Sequence, residues 1–199
     1  MCRRRRTATM RIVPIALPCN VPAMDKTTTF PISLSGFEIE GLIEADAPRL
    51  MPLYQNCQDY VVLERGHPPD ATVAIEEFQS FPPGRTEADK FVFGLKSGAG
   101  NLIGMLACDR NYPQEKSWWI ALLMIDPAFR RHGAAKTLCD DFFSWLKTQG
   151  ADRVELAVFA ENEQGLRFWE GQGFEMVRTA GPVPIGTKQH RMEVLGRSL

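Results

Sequence analysis

The run Ser117–Ile125, S-W-W-I-A-L-L-M-I, carries no charge and passes through D-P-A-F-R-R-H-G-A-A-K-T-L into a helical pattern. It is far shorter than the ~20 residues a membrane-spanning helix needs. It also lacks the polar alternation of a strand with one wet face. Those two properties predict a strand buried on both faces at the centre of a sheet. Leu138, Phe142, Trp145 and Leu146 then recur at helical spacing, and Gly150 offers the left-handed stop that ends many helices. Arg153–Phe159 resumes as a strand, so the segment predicts a strand, helix, strand crossover.

The flanking sequence builds outward from that unit. Phe37, Ile39 and Leu42 alternate with glutamates and predict a half-buried strand. Asp46 can cap a helix with Pro48 in its first turn, Leu50, Leu53, Tyr54 and Cys57 on its inner face, and its end before Arg65-Gly66. Asp70 opens a shorter helix reaching about Phe78, before Pro82-Pro83-Gly84. Lys90–Lys96 and Leu102–Asp109 read as a hairpin joined by the glycine-rich residues 97–101. Asn162–Gln172 predicts another helix, followed by short strands at Phe174–Arg178 and Lys188–Leu195. No internal repeat is present. The fold class is α/β (α+β): a single domain over residues 36–199, with helices flanking a mixed, mostly antiparallel central sheet.

Residues 1–35 differ. Arg3, Arg4, Arg5, Arg6 and Arg11 precede the first acid, Asp25, and Pro14, Pro18, Pro22 and Pro31 interrupt any period. This is the composition of a disordered tail. A dispensable tail, or a start at Met24, accounts for it better than a transit peptide, since the prolines break any amphipathic helix. Over the whole chain of 199 residues the formal charge is -1, which gives no general basic field for nucleic acid or an anionic membrane. Small molecules or proteins are the expected partners. Cys2, Cys19, Cys57, Cys108 and Cys139 are odd in number and scattered, with no metal-ligand spacing, which predicts a reducing, cytoplasmic setting and no metal.

The stretch between central strand and helix carries the chemistry. A helix that starts near Gly133 leaves its first N–H groups without intrahelical partners and its positive dipole end facing the loop, a natural seat for phosphate. Gly133, Ala134 and Ala135 let an anion approach the backbone, and Arg130 and Arg131 add charge. It is not a nucleotide P-loop, because Arg130 and Ala135 stand where both glycines of that motif belong. Nor do Gly98, Gly100 and Gly104 form a dinucleotide fingerprint, since the last spacing is one residue too long and a strand follows.

Read as I-D-P-A-F-R-R-H-G-A-A, Ile125 to Ala135 resembles the acyl-CoA loop of the GNAT superfamily of N-acetyltransferases, with Arg130, Gly133 and Ala135 at its defining positions. N-E-Q-G-L-R-F-W-E-G-Q-G-F, Asn162 to Phe174, is similar to the family's second signature. The likeness extends from about Phe37 to Leu195. It implies acetyl-CoA as cosubstrate, with pyrophosphate on the backbone from Arg131 through His132, Gly133 and Ala134 to Ala135. It also implies the pantetheine arm along Leu123, Met124 and Ile125, with Asn162 and Trp169 beside it, and in many members a homodimer. A backbone N–H near Met124 and Ile125 would polarise the thioester oxygen.

Direct attack by an amine also needs a base and a proton for the thiolate. Where members often carry tyrosine this chain has Trp169, whose indole does not titrate. Where some carry a strand glutamate it has S-W-W-I-A-L-L, all apolar apart from Ser117. Glu115, just before that strand, and Asp109, at the end of the preceding one, are candidate water-linked bases, each more readily explained as a solvated strand end. His132 belongs to the phosphate loop, and His67 and His190 have no partner legible in the sequence. The acceptor site would draw on Tyr54, Asp59, Tyr60 and Glu64, with Tyr112 and Trp118 as similar aromatic cases. The reading is an N-acetyltransferase acting on a small-molecule or protein amine. The alternative, motivated by the missing tyrosine and glutamate, is a non-catalytic acyl-CoA sensor or degenerate enzyme.

Overall fold

The computed structural model describes residues 24–199. Seven strands form one sheet in the order β1 (Phe37–Leu42), β2 (Lys90–Ser97), β3 (Leu102–Arg110), β4 (Ser117–Ile125), β5 (Arg153–Phe159), β7 (Lys188–Ser198) and β6 (Glu175–Ile185). Only β4 and β5 are parallel. They are joined by α4 (Ala134–Thr148), the crossover that the apolar run and its helix predict. With α5 (Glu163–Gly171), α4 covers one face, while α1 (Ala47–Asn56), α2 (Gln58–Arg65) and α3 (Val73–Gln79) cover the other. The mixed, mostly antiparallel single-domain fold is the one expected.

The α4 face is an aromatic core of Phe30, Phe91, Phe93, Trp118, Phe142 and Trp145. Trp118 is 2% exposed and lies 5.4 Å from Phe91 and 5.6 Å from Trp145 between ring centroids, so it packs the core and does not reach an acceptor. Edge and stacked pairs of this kind are worth ~0.5–1.5 kcal/mol each beyond burial. Phe30, 2% exposed, stacks on Trp145 at 5.7 Å. The packed unit therefore begins well before residue 36, and residues 24–29 run beside the edge strand β1. There Gly41 is required, because a Cβ would lie 2.6 Å from the Lys26 carbonyl. The arginine-rich residues 1–23 lie outside the described residues.

Four local expectations change. Leu42 packs with α1 and α3, on the face opposite Phe37 and Ile39, as strand parity demands. Asp46 does not cap α1 with its side chain; it accepts from Ile43 N at 3.0 Å and from Arg49 at 2.9 Å. The single helix expected up to Arg65 is two, broken at Cys57. The break is pinned from outside: Asn56 Nδ2 donates to Asp126 Oδ2 at 2.6 Å, and Cys57 Sγ to the Ile125 carbonyl at 3.4 Å. Finally, β6 runs on through Pro182 and Pro184, which an edge strand tolerates because no further neighbour needs their missing N–H.

Candidate active site

The site follows from a defect in β4. In the β3–β4 ladder Ala107 faces Leu122 and Cys108 faces Ile120, which leaves Ala121 as a bulge. Pairing with β5 runs only from Ser117–Arg153 to Ile120–Leu156 and stops where the bulge begins. Beyond it the two parallel strands separate, and a cavity of about 560 Å³ opens between them. Ile120 to Ile125 form one wall and Leu156 to Phe159 the other. The cavity continues past Asn162, Gly165, Phe168 and Trp169 of α5 to Arg130, Arg131, Gly133, Ala135 and Lys136, and at its other side meets Asp59, Tyr60 and Leu63 of α2.

Its loop end is shaped for an anion. Gly133 at φ +84° is the N-cap of α4 and Arg131 has φ +66°, so two left-handed residues wrap the backbone around the helix start. No side chain caps this fifteen-residue helix, and a Cβ added at Gly133 would meet open space. Glycine is needed there for its backbone angle. Asp126 holds the approach, accepting from Ala128 N at 2.8 Å. Arg130 is already engaged: its Nε donates to the Ile125 carbonyl at 2.8 Å, and its Nη1 and Nη2 bind both oxygens of Asp59 at 2.6 and 3.2 Å. The guanidinium beside it keeps the Asp59 carboxyl below the usual range. Arg130 thus works as a tether between loop and α2. Ile125's carbonyl is taken too, which leaves Leu123 and Met124, with Ala121 and Leu122 added, as the strand edge facing the cavity.

The other expected residues divide. Asn162 lines the cavity and its Oδ1 caps α5 through Gly165 N at 2.9 Å. Trp169 lines it as well, 7% exposed and 5.2 Å from Phe174 by ring centroid. His132 is exposed and Ala134 buried, and neither lines the cavity. On the acceptor side Tyr60 lines it, with its ring 6.3 Å from Phe159, and burial holds its phenol well above the ordinary value. Tyr54 is a core residue at 2% exposure. Glu64, one turn beyond Tyr60, is half-buried, with burial raising its carboxyl.

Glu115 is exposed before the start of β4, at the end away from the loop. Asp109 is buried at the end of β3, 3.8 Å from Lys90 and pushed up to about 6 by burial; like Glu115 it does not line the cavity. Residues unforeseen from the sequence include Leu63, Phe159, Gln164 and Phe168. Gln164 and Phe168 lie within the Asn162–Phe174 signature without being singled out by it, Leu63 belongs to no motif, and Phe159 is indistinguishable in sequence from a core strand residue.

The site is thus a splayed parallel strand pair whose cavity leads to an uncapped helix start. Residues 49–174 match the family model described as Acetyltransferase (GNAT) family, and the chain belongs to that family of acetyl-CoA-using acyltransferases. It is similar to the N-alpha-acetyltransferase 30 of Saccharomyces cerevisiae, 30% identical over 82 residues, 40% of this chain and 47% of that protein. It is also similar to the mycothiol acetyltransferase of Beutenbergia cavernae, 27% identical over 111 residues, 56% of this chain and 37% of that protein. The chain therefore spans half or less of the length of these curated relatives. An acetyltransferase from Thermus thermophilus shares the fold at TM-score 0.69 and 21% identity, covering 85% of this chain and all of that one. A spermidine N-acetyltransferase from Vibrio cholerae, solved with CoA and spermine, does so at TM-score 0.63 and 17% identity, over 83% of this chain and 96% of that one. Among the described residues no helix is long and apolar enough to cross a membrane.

Proposed function

We propose that the protein transfers an acetyl group from acetyl-CoA to an amine of a small molecule or a protein, by direct attack within the cavity between β4 and β5. The observation that carries this reading is the end of β4–β5 pairing at Ile120 and Leu156, with one continuous cavity from there to the start of α4. The residues fit the cosubstrate. Backbone N–H groups from Arg131 to Ala135 hold the pyrophosphate, and the β4 edge from Ala121 to Met124 pairs with the pantetheine arm, beside Asn162 and Trp169. When bound, acetyl-CoA supplies a thioester carbonyl open to a nucleophile.

The acceptor comes from the α2 side, past Tyr60 and Leu63. Of the acids considered for this end, Asp59 lines the cavity but is held by two guanidinium nitrogens of Arg130. Glu64, outside the lining and 3.4 Å from Arg65 Nε, is the carboxylate we assign to the amine, reached through water. Raised by burial, it is a stronger base than an ordinary glutamate, and it takes the amine's proton through water. The nitrogen forms its bond to the acyl carbon as the carbon–sulfur bond breaks, and the thiolate takes a proton from water. Tyr60 keeps its phenolic proton and acts as a hydrogen-bond donor. The buried thiols of Cys57, Cys108 and Cys139 suit a cytoplasmic setting.

The test is free-thiol release from acetyl-CoA across amines, polyamines, amino acids and peptide N-termini, with calorimetry on the same preparation. Amine-dependent release is expected. Tight acetyl-CoA binding with a silent panel would favour the non-catalytic alternative, and no binding at all would overturn the site.

A further inference from the structure

One buried side chain next to the cavity has no part in the chemistry above. His190 of β7 is 0% exposed, and its ring lies 4.2 Å from Phe159 between centroids. Both nitrogens are bonded: Nε2 to the Glu64 carbonyl at 2.7 Å and Nδ1 to Glu161 Oε1 at 2.6 Å. A carbonyl can only accept, so Nε2 carries a proton. An ionised carboxylate can only accept as well, so Nδ1 carries one against a charged Glu161. The Glu161 carboxyl is held below its usual range, first by its own backbone N–H and further by His190. The two bonds together call for an imidazolium.

That cation sits where a helix end wants one. The last carbonyls of a helix lack intrahelical partners and carry the negative end of its dipole. In α2 the hairpin between β6 and β7 takes three in succession. Lys188 Nζ donates to Leu63 O at 2.9 Å, His190 to Glu64 O, and Thr187 N to Arg65 O at 2.9 Å. The approach is close enough that a Cβ on Gly186, at φ +55°, would lie 2.3 Å from Arg65 O. The charged groups around the ring are Glu161 from the turn before α5, Glu64 and Arg65 from α2, and Lys188 from β7, with Glu77 of α3 acting on Glu64.

We propose that His190, as an imidazolium, is a positioning residue for the acceptor, fastening the last turn of α2 to the Glu161–Asn162 turn and so fixing Tyr60 against Phe159. The clamp joins the two substrate sides: Glu161 adjoins Asn162, which lines the acyl-CoA side, and Glu64 lies one turn from Tyr60. Its role in acceptor binding rests on the acetyltransfer reading above; the clamp itself does not.

The test uses the full chain and Glu161→Gln, a substitution at a side chain 43% exposed that removes the countercharge without disturbing the core. Long-range proton–nitrogen NMR of the imidazole rings, with His190 assigned by loss of its signals in His190→Gln, reads both ring nitrogens as protonated at neutral pH in the wild type and one in Glu161→Gln. The Thr187 amide exchanges roughly tenfold faster in the variant, and Glu161→Asp restores both readouts. Acetyl-CoA affinity by calorimetry is unchanged. With an amine from the panel, the acceptor KM rises about fivefold while kcat stays within about twofold. A wild-type ring protonated on one nitrogen, or Thr187 exchange equal in both proteins, overturns the clamp. A parallel rise of both KM values overturns its acceptor role. If no amine turns over, the acetyltransfer reading fails while the NMR and exchange results still decide the clamp.

Discussion

The two sides of the cavity are built from different materials. The side proposed for acyl-CoA is backbone: a strand edge freed by a bulge at Ala121 and a helix start wrapped by Arg131 and Gly133. Nearly all of it comes from one stretch, β4 to α5. The acceptor side is made of side chains brought from far apart, with Asp59 reaching Arg130 across 71 positions and His190 reaching Glu64 across 126. On the proposed reading the cosubstrate is a thioester with a pyrophosphate handle, which main-chain groups can hold whatever the side chains are. An amine that differs between proteins has to be met by side chains. The contrast predicts that mutations on the first side abolish binding and that those on the second redistribute rate and specificity.

The largest effect tests the backbone side. Gly133→Glu forces a side chain onto φ +84° and sets a carboxylate at the positive end of α4, in the space meant for pyrophosphate. Acetyl-CoA affinity should fall by ~100-fold or more in calorimetry, with the Tm lowered by only a few degrees, since the cost is that of one strained backbone angle and the added atoms meet open space. Unchanged affinity would refute the site.

On the acceptor side Glu64→Gln should leave acetyl-CoA affinity intact and lower kcat by roughly 10- to 100-fold. The pH profile decides what Glu64 does. As a base it must be ionised, and burial raises its carboxyl above the ordinary 4.5, so the wild-type rate climbs with pH through that raised value. Gln should flatten that limb. A variant that keeps the same limb would remove Glu64 as the base.

Asp109, considered from the sequence as a base, should instead act on stability. Its carboxyl is at about 6 when folded, above the ordinary value of 3.8, so the stabilisation is complete below 3.8 and is lost as pH rises through about 6. Asp109→Asn should therefore raise the Tm at pH 8 by roughly 5 °C, lose that advantage near pH 4, and leave kcat unchanged. A drop in kcat at constant Tm would restore it to the chemistry.

What the sequence disclosed follows the same division. The run 117–125, the loop 125–135 and the Asn162 cap are local patterns, so the central strand, the crossover and the uncapped start of α4 were legible from residue type and spacing. Arg130 was read as added charge at the loop, and its pairing with Asp59 was not legible because the partner is remote. The helix break at Cys57 was invisible because Asn56 and Cys57 are pinned by residues 125 and 126. His190 offered one isolated letter. Trp118 read like a binding aromatic because period-2 patterning cannot say which face of a fully buried strand meets a cavity.

The smallest effect sharpens the contrast most. Trp169 lies on the backbone-built side, yet it stands at the position where the resemblance in the sequence implies a proton-donating tyrosine. Its indole is nearly buried, with Phe168 at 5.0 Å and Phe174 at 5.2 Å between ring centroids, and an indole N–H can hydrogen-bond without giving up its proton. If that side works through main chain, Trp169 contributes packing alone. Trp169→Phe keeps an aromatic ring there, and should leave kcat within about threefold and acetyl-CoA affinity nearly unchanged. A loss of turnover above ~100-fold with binding preserved would mean that the indole N–H acts on the reacting atoms. The chemistry would then rest on a side chain of the acyl-CoA side, and the division between a backbone-built side and a side-chain-built side would no longer hold.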